Sequence, residues 1–296
     1  MAPRIEANGQ TPASPAAPTQ MPPASPVAAL RRRLISSAIL LPVAFGGAWL
    51  GGPFWAVLVG VFALAMAWEW SRIVTSGQAV SGIFGIAPGG LAAMLAVALA
   101  IALTGANMIL PALAALAIGA AAIAGLSMHH RPAWQALGPI YVGLPCIAII
   151  WTRAQHDGLA TLAWMLALVV AVDSGAYLAG RTIGGPKLAP RISPKKTWAG
   201  LAGGVAAALL IGGISAFLLD LPRFWPLILV SGVLALVEQA GDLAESAFKR
   251  RFGVKDSSQL IPGHGGVLDR VDGLLAVALV VGLIGYFQGG MAGWAG

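Results

Sequence analysis

The 296-residue chain is 58% hydrophobic and only 10% charged, with a mean hydropathy of +0.82, whereas soluble domains carry roughly a quarter charged residues. An ordinary soluble protein is therefore excluded, and a membrane protein is expected. The net charge of +7 does not call for nucleic acid as a partner, because Lys and Arg of membrane proteins gather in cytoplasmic loops and face anionic lipid. A single cysteine, Cys146, rules out an intrachain disulfide and paired-cysteine zinc or redox motifs, and within the apolar stretch 140–151 it reads as a small packing residue.

Residues 1–29 are rich in Pro, Ala, Ser, Thr and Gln without apolar periodicity. They cannot bury enough surface to offset ordering entropy, so a disordered cytoplasmic tail is expected ahead of one integral membrane domain, 30–296. Arg31, Arg32 and Arg33 precede an apolar run that continues past Pro42 with no cleavage site followed by a polar mature domain. An uncleaved first span fits better than a signal peptide. At about 17 to 25 apolar residues per span, the pattern predicts an all-α, polytopic transmembrane bundle of about nine spans. They lie near 34–50, 54–70, 83–103, 106–126, 137–151, 159–179, 198–219, 226–241 and 273–290. Gly46 with Gly47, and Gly200 with Gly203 and Gly204, read as small-residue faces that let helices approach closely. Such faces would allow a homodimer without requiring one.

With the N-terminus in the cytoplasm, 16 of the 18 Lys and Arg residues fall on that side, and only Arg153 and Arg223 on the other. The positive-inside rule then puts two long polar stretches, 180–197 and 242–272, on the cytoplasmic face of the inner membrane. These two carry most of the polar variety outside the tail, so an active site is expected to be assembled from them and to face the cytoplasm.

Ahead of the first stretch stands Asp173, an ionisable group at the end of an apolar span, which usually faces the bundle interior or a water-filled cavity; pairing with a nearby Lys is the structural alternative. Gly184-Gly185-Pro186-Lys187 suggests a turn. Ser193-Pro194-Lys195-Lys196-Thr197 offers two point charges suited to phosphate oxygens, with Ser193 or Thr197 binding phosphate or capping the next helix. An ordinary basic loop with Ser193 as the cap would read the same.

In the second stretch, Glu238, Asp242 and Glu245 fall at i, i+4 and i+7 of a helix, with Ser246 and Lys249 adjoining. Mg²⁺ is bound through one or two such carboxylates plus substrate phosphates. Lys255-Asp256 follows, then Pro262-Gly263-His264-Gly265-Gly266, whose amides can approach a ligand although no Walker pattern is present. His264 suits a general base, a phosphate donor or a loop-stabilising role. Four scattered histidines argue against a zinc site. Asp269 and Asp272 stand before the last span, sharing a ligand-facing surface or a solvated helix start.

Taken together, Ser246-Ala247-Phe248-Lys249-Arg250, Lys255-Asp256, Pro262-Gly263-His264-Gly265-Gly266 and Asp269-Arg270-Val271-Asp272 resemble the phosphatidate cytidylyltransferase (CDP-diacylglycerol synthase) pattern at matching spacing. Asp173-Ser174-Gly175-Ala176-Tyr177 and Ser193-Pro194-Lys195-Lys196-Thr197-Trp198 are similar to the same family. Up to Asp173 the resemblance is architectural only. It implies transfer of CMP from CTP to phosphatidic acid, giving CDP-diacylglycerol and pyrophosphate, with Mg²⁺ required and a monovalent cation such as K⁺ admitted beside it. It further implies acidic metal ligands at Asp242 and Asp269.

The catalytic set expected on this basis is Asp242, Asp269, Lys249, Arg250, His264 and Arg270. Asp173, Ser193, Lys195, Lys196, Thr197, Ser246, Lys255, Asp256, Gly263, Gly265, Gly266 and Asp272 are expected to bind the substrates. One position departs: the family usually carries Glu where this chain has Ala199, for which Glu69 or Asp173 could compensate. A cation-coupled transporter, a CTP-using membrane kinase acting on a polyprenol or diacylglycerol and a lipid-binding scaffold are the rival readings: the transporter does not explain so dense a Gly, His, Lys, Asp and Arg motif, the kinase would yield phosphorylated lipid and CDP, and the scaffold would bind no nucleotide.

Overall fold

In a computed structural model, residues 38, 42–77, 86–126, 131–261 and 265–288 are described. The expected 1–29 tail, parts of the spans near 34–50 and 83–103, and the motif residues Pro262, Gly263 and His264 lie outside the described residues. Among the described residues the chain is helical nearly throughout. A helix over 42–50, α1, is followed by α2 (Gly52–Val74), α3 (Pro88–Gly105), α4 (Ile109–Leu126), α5 (Pro132–Ala154) and α6 (Gly158–Thr182). Next come β1 (Lys187–Ala189) and β2 (Ser193–Thr197), then α7 (Trp198–Leu218), α8 (Trp225–Arg251) and α9 (Leu268–Gln288). Seven helices, α2, α3 and α5 to α9, are long and apolar enough to cross a membrane; the apolar stretch 109–125 of α4 is shorter.

Lipid tails are as apolar as Leu, so small residues that bring backbones together must hold such helices. The α6–α7 pair, the most extensive in the bundle, shows this directly. A Cβ at Gly175 would stand 2.7 Å from the Gly203 carbonyl oxygen, and one at Gly200 would stand 2.9 Å from that of Ala176. The glycine surface expected at 200–204 is thus a helix contact. Of Gly46 and Gly47, only Gly47 has a neighbour close enough to matter, Leu58. Cys146 is buried among apolar neighbours, as a packing residue should be.

Two departures from the sequence pattern matter for the site. The 180–197 stretch is not a plain loop: β1 and β2 form an antiparallel hairpin, pairing Lys187 with Thr197 and Ala189 with Ser193. Gly184 and Gly185, at φ of 69° and 91°, make the turn into it, a backbone geometry open mainly to glycine. Secondly, α8 runs ten residues past the expected span, because Asp242–Arg251 continues its hydrogen-bonded ladder and ends with Lys249, Arg250 and Arg251 opposite the negative end of the helix dipole.

Contacts between helix ends sort them into two faces. On one, Arg131 Nη1 donates to the Val74 carbonyl at 2.9 Å and Ser76 Oγ to that of Phe252 at 3.0 Å. On the other, Arg153 Nε and Nη2 donate to the Ala48 and Trp49 carbonyls at 2.5 and 3.0 Å. The hairpin, the end of α8 and the start of α9 belong to the first face.

Candidate active site

Four elements supply most of the site: the C-terminal part of α6, the hairpin strand β2, the polar end of α8 and the first turn of α9, with Asp256 added from the connection between the last two. Thr197 ends β2 in an extended conformation, and its side chain accepts the Gly200 N–H at 3.0 Å, so it caps α7. Ser193, the alternative cap, sits instead within β2, four residues too early to reach the helix. With the cap in place, Lys196 points across to α8, and its Nζ lies 2.5 Å from Asp242 Oδ2. Ser246 Oγ donates to Asp242 Oδ1 at 3.3 Å, the i, i+4 contact of one helix face.

Next along the same face, Lys249 Nζ bridges Glu245 Oε2 at 2.6 Å and Asp269 Oδ1 at 2.7 Å. Asp269 also accepts the Ser257 N–H at 2.9 Å, the Ser257 hydroxyl at 3.0 Å and the Gly266 N–H at 2.9 Å. Its carboxylate therefore ties α8 to both ends of the 257–266 segment. Gly265, at φ 89°, turns the chain toward α9. Asp272 accepts the Gly273 N–H at 2.8 Å.

Asp173, Asp242, Asp256, Asp269 and Asp272 line one pocket of about 320 Å³ together with Lys249 and Arg270. Five carboxylates against two cations leave this pocket strongly negative. A neighbouring cavity of about 320 Å³ shares Asp173 and is lined by Tyr177, Arg181, Lys195, Lys196, Thr197 and Gln239. An acidic pocket thus adjoins a basic one, with Lys196–Asp242 at their boundary. A third cavity, about 400 Å³ and apolar, lies within the bundle between α2, α5, α6 and α9, and Arg270 lines both it and the acidic pocket.

Most of the residues singled out in the sequence come together here: Asp173, Lys195, Lys196, Thr197, Asp242, Lys249, Asp256, Asp269, Arg270 and Asp272 line the two polar pockets, and Ser246 and Gly266 hydrogen-bond their carboxylates. Others stand apart. Ser193 pairs within the hairpin. Arg250 is exposed and donates to the Val254 carbonyl at 3.2 Å, turned toward its own helix end. Lys255 is exposed and lines neither pocket.

Glu69 does not replace the missing carboxylate at Ala199, because its oxygens are taken by the segment leading into α9; Asp173 is the acid that does reach the pocket. Sequence reasoning passed over Arg181 and Gln239, whose positions on helix faces carry no motif, and gave Tyr177, quoted within the family-like stretch 173–177, no role in the site. It also passed over what Glu69 does, although an acid inside the apolar stretch 54–70 was a signal of the kind that singled out Asp173.

Among the described residues no three His, Cys, Asp or Glu side chains converge as a complete metal cage. The acidic pocket can therefore offer a cation only a partial ligand set, to be completed by a second molecule. That suits a polyphosphate held between the negative pocket and the basic cavity beside it.

Comparison with known proteins agrees with this chemistry. The sequence pattern of the cytidylyltransferase family matches residues 31–287. A phosphatidate cytidylyltransferase of Brucella suis biovar 1 is 38% identical over 264 residues, covering 86% of this chain and 93% of the relative. Those of Pseudomonas aeruginosa and Haemophilus influenzae are 36% and 33% identical, each over 83% of this chain and 93% and 95% of their own lengths. With the match running from the first span to the last and taking in every pocket-lining residue, the chain belongs to the cytidylyltransferase family.

Proposed function

We infer that the chain is a membrane enzyme that transfers CMP from CTP to phosphatidic acid, yielding CDP-diacylglycerol and pyrophosphate for phospholipid synthesis. The observation that carries the reading is the pairing of an acidic pocket with a basic one on a single face of a membrane bundle. Full-length relatives named for this activity support it.

An oxygen of the phosphatidate phosphate attacks the α-phosphorus of CTP as the bond from that phosphorus to the β-phosphate oxygen breaks. A phosphomonoester has its second pKa at about 6, so the nucleophile is already ionised at neutral pH and no general base is needed. Catalysis then rests on alignment and on neutralising charge spread over phosphate oxygens. Lys249 and Arg270 border the acidic pocket, and Lys195, Lys196 and Arg181 line the basic one; these side chains clamp the anionic groups. Arg270, between the acidic pocket and the apolar cavity, suits the phosphate of a molecule whose tails stay in the membrane.

The excess of carboxylates fits Mg²⁺, with room for K⁺ beside it. Asp242 and Asp269 would hold Mg²⁺, which when bound neutralises the phosphates and the leaving pyrophosphate. Lys196 and Lys249 neutralise these two carboxylates otherwise. His264 and Gly263, beyond the described residues, remain assigned to the triphosphate by the motif alone.

We count α1 and α4 as crossing too, giving nine spans. The end of α2 and the start of α5 share a face through Arg131 and Val74, and α3 leads away from it. Only a crossing by α4 returns the chain to that face. The charge count supports a cytoplasmic orientation for this face, and the bacterial relatives support the inner membrane as its location.

The test uses purified protein, phosphatidic acid, Mg²⁺ and CTP labelled separately at the α and γ phosphates. Label from the α position should enter lipid while γ label leaves as pyrophosphate. Entry of γ label into lipid would make the protein a lipid kinase instead, and entry of neither would sink both.

A further inference from the structure

One acid that the pocket does not use is Glu69, on α2 almost two hundred residues before the start of α9. It is fully buried in the protein. Its Oε1 accepts the Val267 N–H at 2.9 Å and the Ser258 hydroxyl at 2.5 Å, and its Oε2 accepts the Leu268 N–H at 2.7 Å. Three donors from both ends of the segment preceding α9 thus converge on one carboxylate. An unpaired buried carboxylate would be strongly disfavoured. Here the amides that open a helix, otherwise without partners and at its positive end, take the charge.

Gly266 makes this approach possible. A Cβ there would fall within contact distance of both Ser257 Oγ and the Glu69 carboxylate. Next to Glu69, Trp70 stacks on Phe248 of α8, with ring centroids 3.9 Å apart and planes 13° apart. Its Nε1 donates to the Trp134 carbonyl at 2.7 Å. The same turn of α2 therefore braces the helix that carries Lys249 and the segment that presents Asp269.

We propose that Glu69 is a positioning residue for cytidylyl transfer: it clamps Ser258 and the Val267 and Leu268 amides so that Asp269 and Arg270 face Asp242 across the acidic pocket. The proposal rests on the functional reading above. Because Glu69 occupies the amides at the start of α9, those amides are not the seat of the nucleotide phosphates, which fall to the lysine and arginine side chains. Glu69 touches no substrate, so its loss acts through geometry. Displacing catalytic groups by about 1 Å can cost roughly 10²-fold in rate.

The test compares full-length wild type with Glu69→Ala and Glu69→Gln, reading kcat, the KM for CTP and for phosphatidic acid, and amide hydrogen exchange. For Glu69→Ala we expect kcat to fall roughly 10²-fold with both KM values within about threefold of wild type, the pattern of a lost transition-state alignment. Exchange at Val267 and Leu268 should rise while α9 beyond Leu275 stays protected. Glu69→Gln, which keeps an acceptor oxygen, should recover part of kcat. An unchanged kcat overturns the proposal, as does loss of protection throughout the bundle or a Gln variant no better than Ala. If wild type makes no CDP-lipid, the functional reading fails instead, and exchange at Val267 and Leu268 still decides whether the clamp exists.

Discussion

The two carboxylates that face each other across the acidic pocket are held in opposite ways. Asp269 sits in a tight cradle, its side chain 6% exposed, with a lysine, a hydroxyl and two backbone amides on its oxygens. Asp242, at 25% exposed, has one close partner, Lys196, and a long contact from Ser246. The α9 half of the site is thus preorganised by the fold, while the hairpin half is joined to it through one ion pair that a ligand can replace. A site built this way keeps its geometry without a fully rigid acidic cluster, whose mutual repulsion would otherwise have to be borne in the empty state.

Breaking the cradle should have the largest effect. Asp269→Asn turns an acceptor into a partial donor facing amides and a hydroxyl, and removes one of the two anions on Lys249. Breaking a buried pair while leaving the partner charge costs about 3 kcal/mol, so the melting temperature and the CDP-lipid rate should fall together, the rate by at least roughly 10²-fold. Asp242→Asn should cost a comparable factor in rate but no more than about 1 kcal/mol in stability, since its pair is partly solvated. Equal melting temperatures for the two variants would refute the contrast. Between them in stability stands Gly266→Ala, where the added methyl meets Ser257 and Glu69. Overpacking of this kind costs about 1 to 3 kcal/mol, visible as a lower melting temperature with Asp242 untouched.

How much of this could be read beforehand differs between the same two halves. The α8 stripe was legible because helical spacing alone puts Glu238, Asp242, Glu245, Ser246 and Lys249 on adjoining faces, and the structure pairs Ser246 with Asp242 and Lys249 with Glu245. Seven of the nine expected spans were legible from hydropathy, each coinciding with a helix long and apolar enough to cross a membrane. What was not legible depends on contacts distant in sequence. The hairpin was hidden because Ser193–Thr197 reads as a basic loop, and its pairing depends on the reversal at 190–192, where the Ile192 N–H donates to the Ala189 carbonyl at 3.1 Å. Glu69 was hidden because its three donors lie about 190 to 200 residues away. Arg250 and Lys255 were expected in the site from the resemblance; both are exposed and line neither polar pocket, and Arg250 donates to the Val254 carbonyl.

The smallest predicted effect sharpens the hairpin half. Lys196 Nζ contacts the same carboxylate that is proposed to hold Mg²⁺, so lysine and metal compete for Asp242. The lysine should move to phosphate once metal and CTP arrive. Lys196→Gln removes the competitor and one phosphate contact at once. Half-saturation by Mg²⁺ should then occur at a lower concentration, while the KM for CTP rises by about tenfold, the worth of one charge-assisted contact at a partly exposed site. Lys195→Gln, on an exposed side chain that lines the basic cavity but not the acidic pocket, should raise the KM for CTP less and leave the Mg²⁺ curve in place. A parallel shift in both variants would mean that the two lysines act only through overall charge, and that the Lys196–Asp242 pair is not the movable joint of the site.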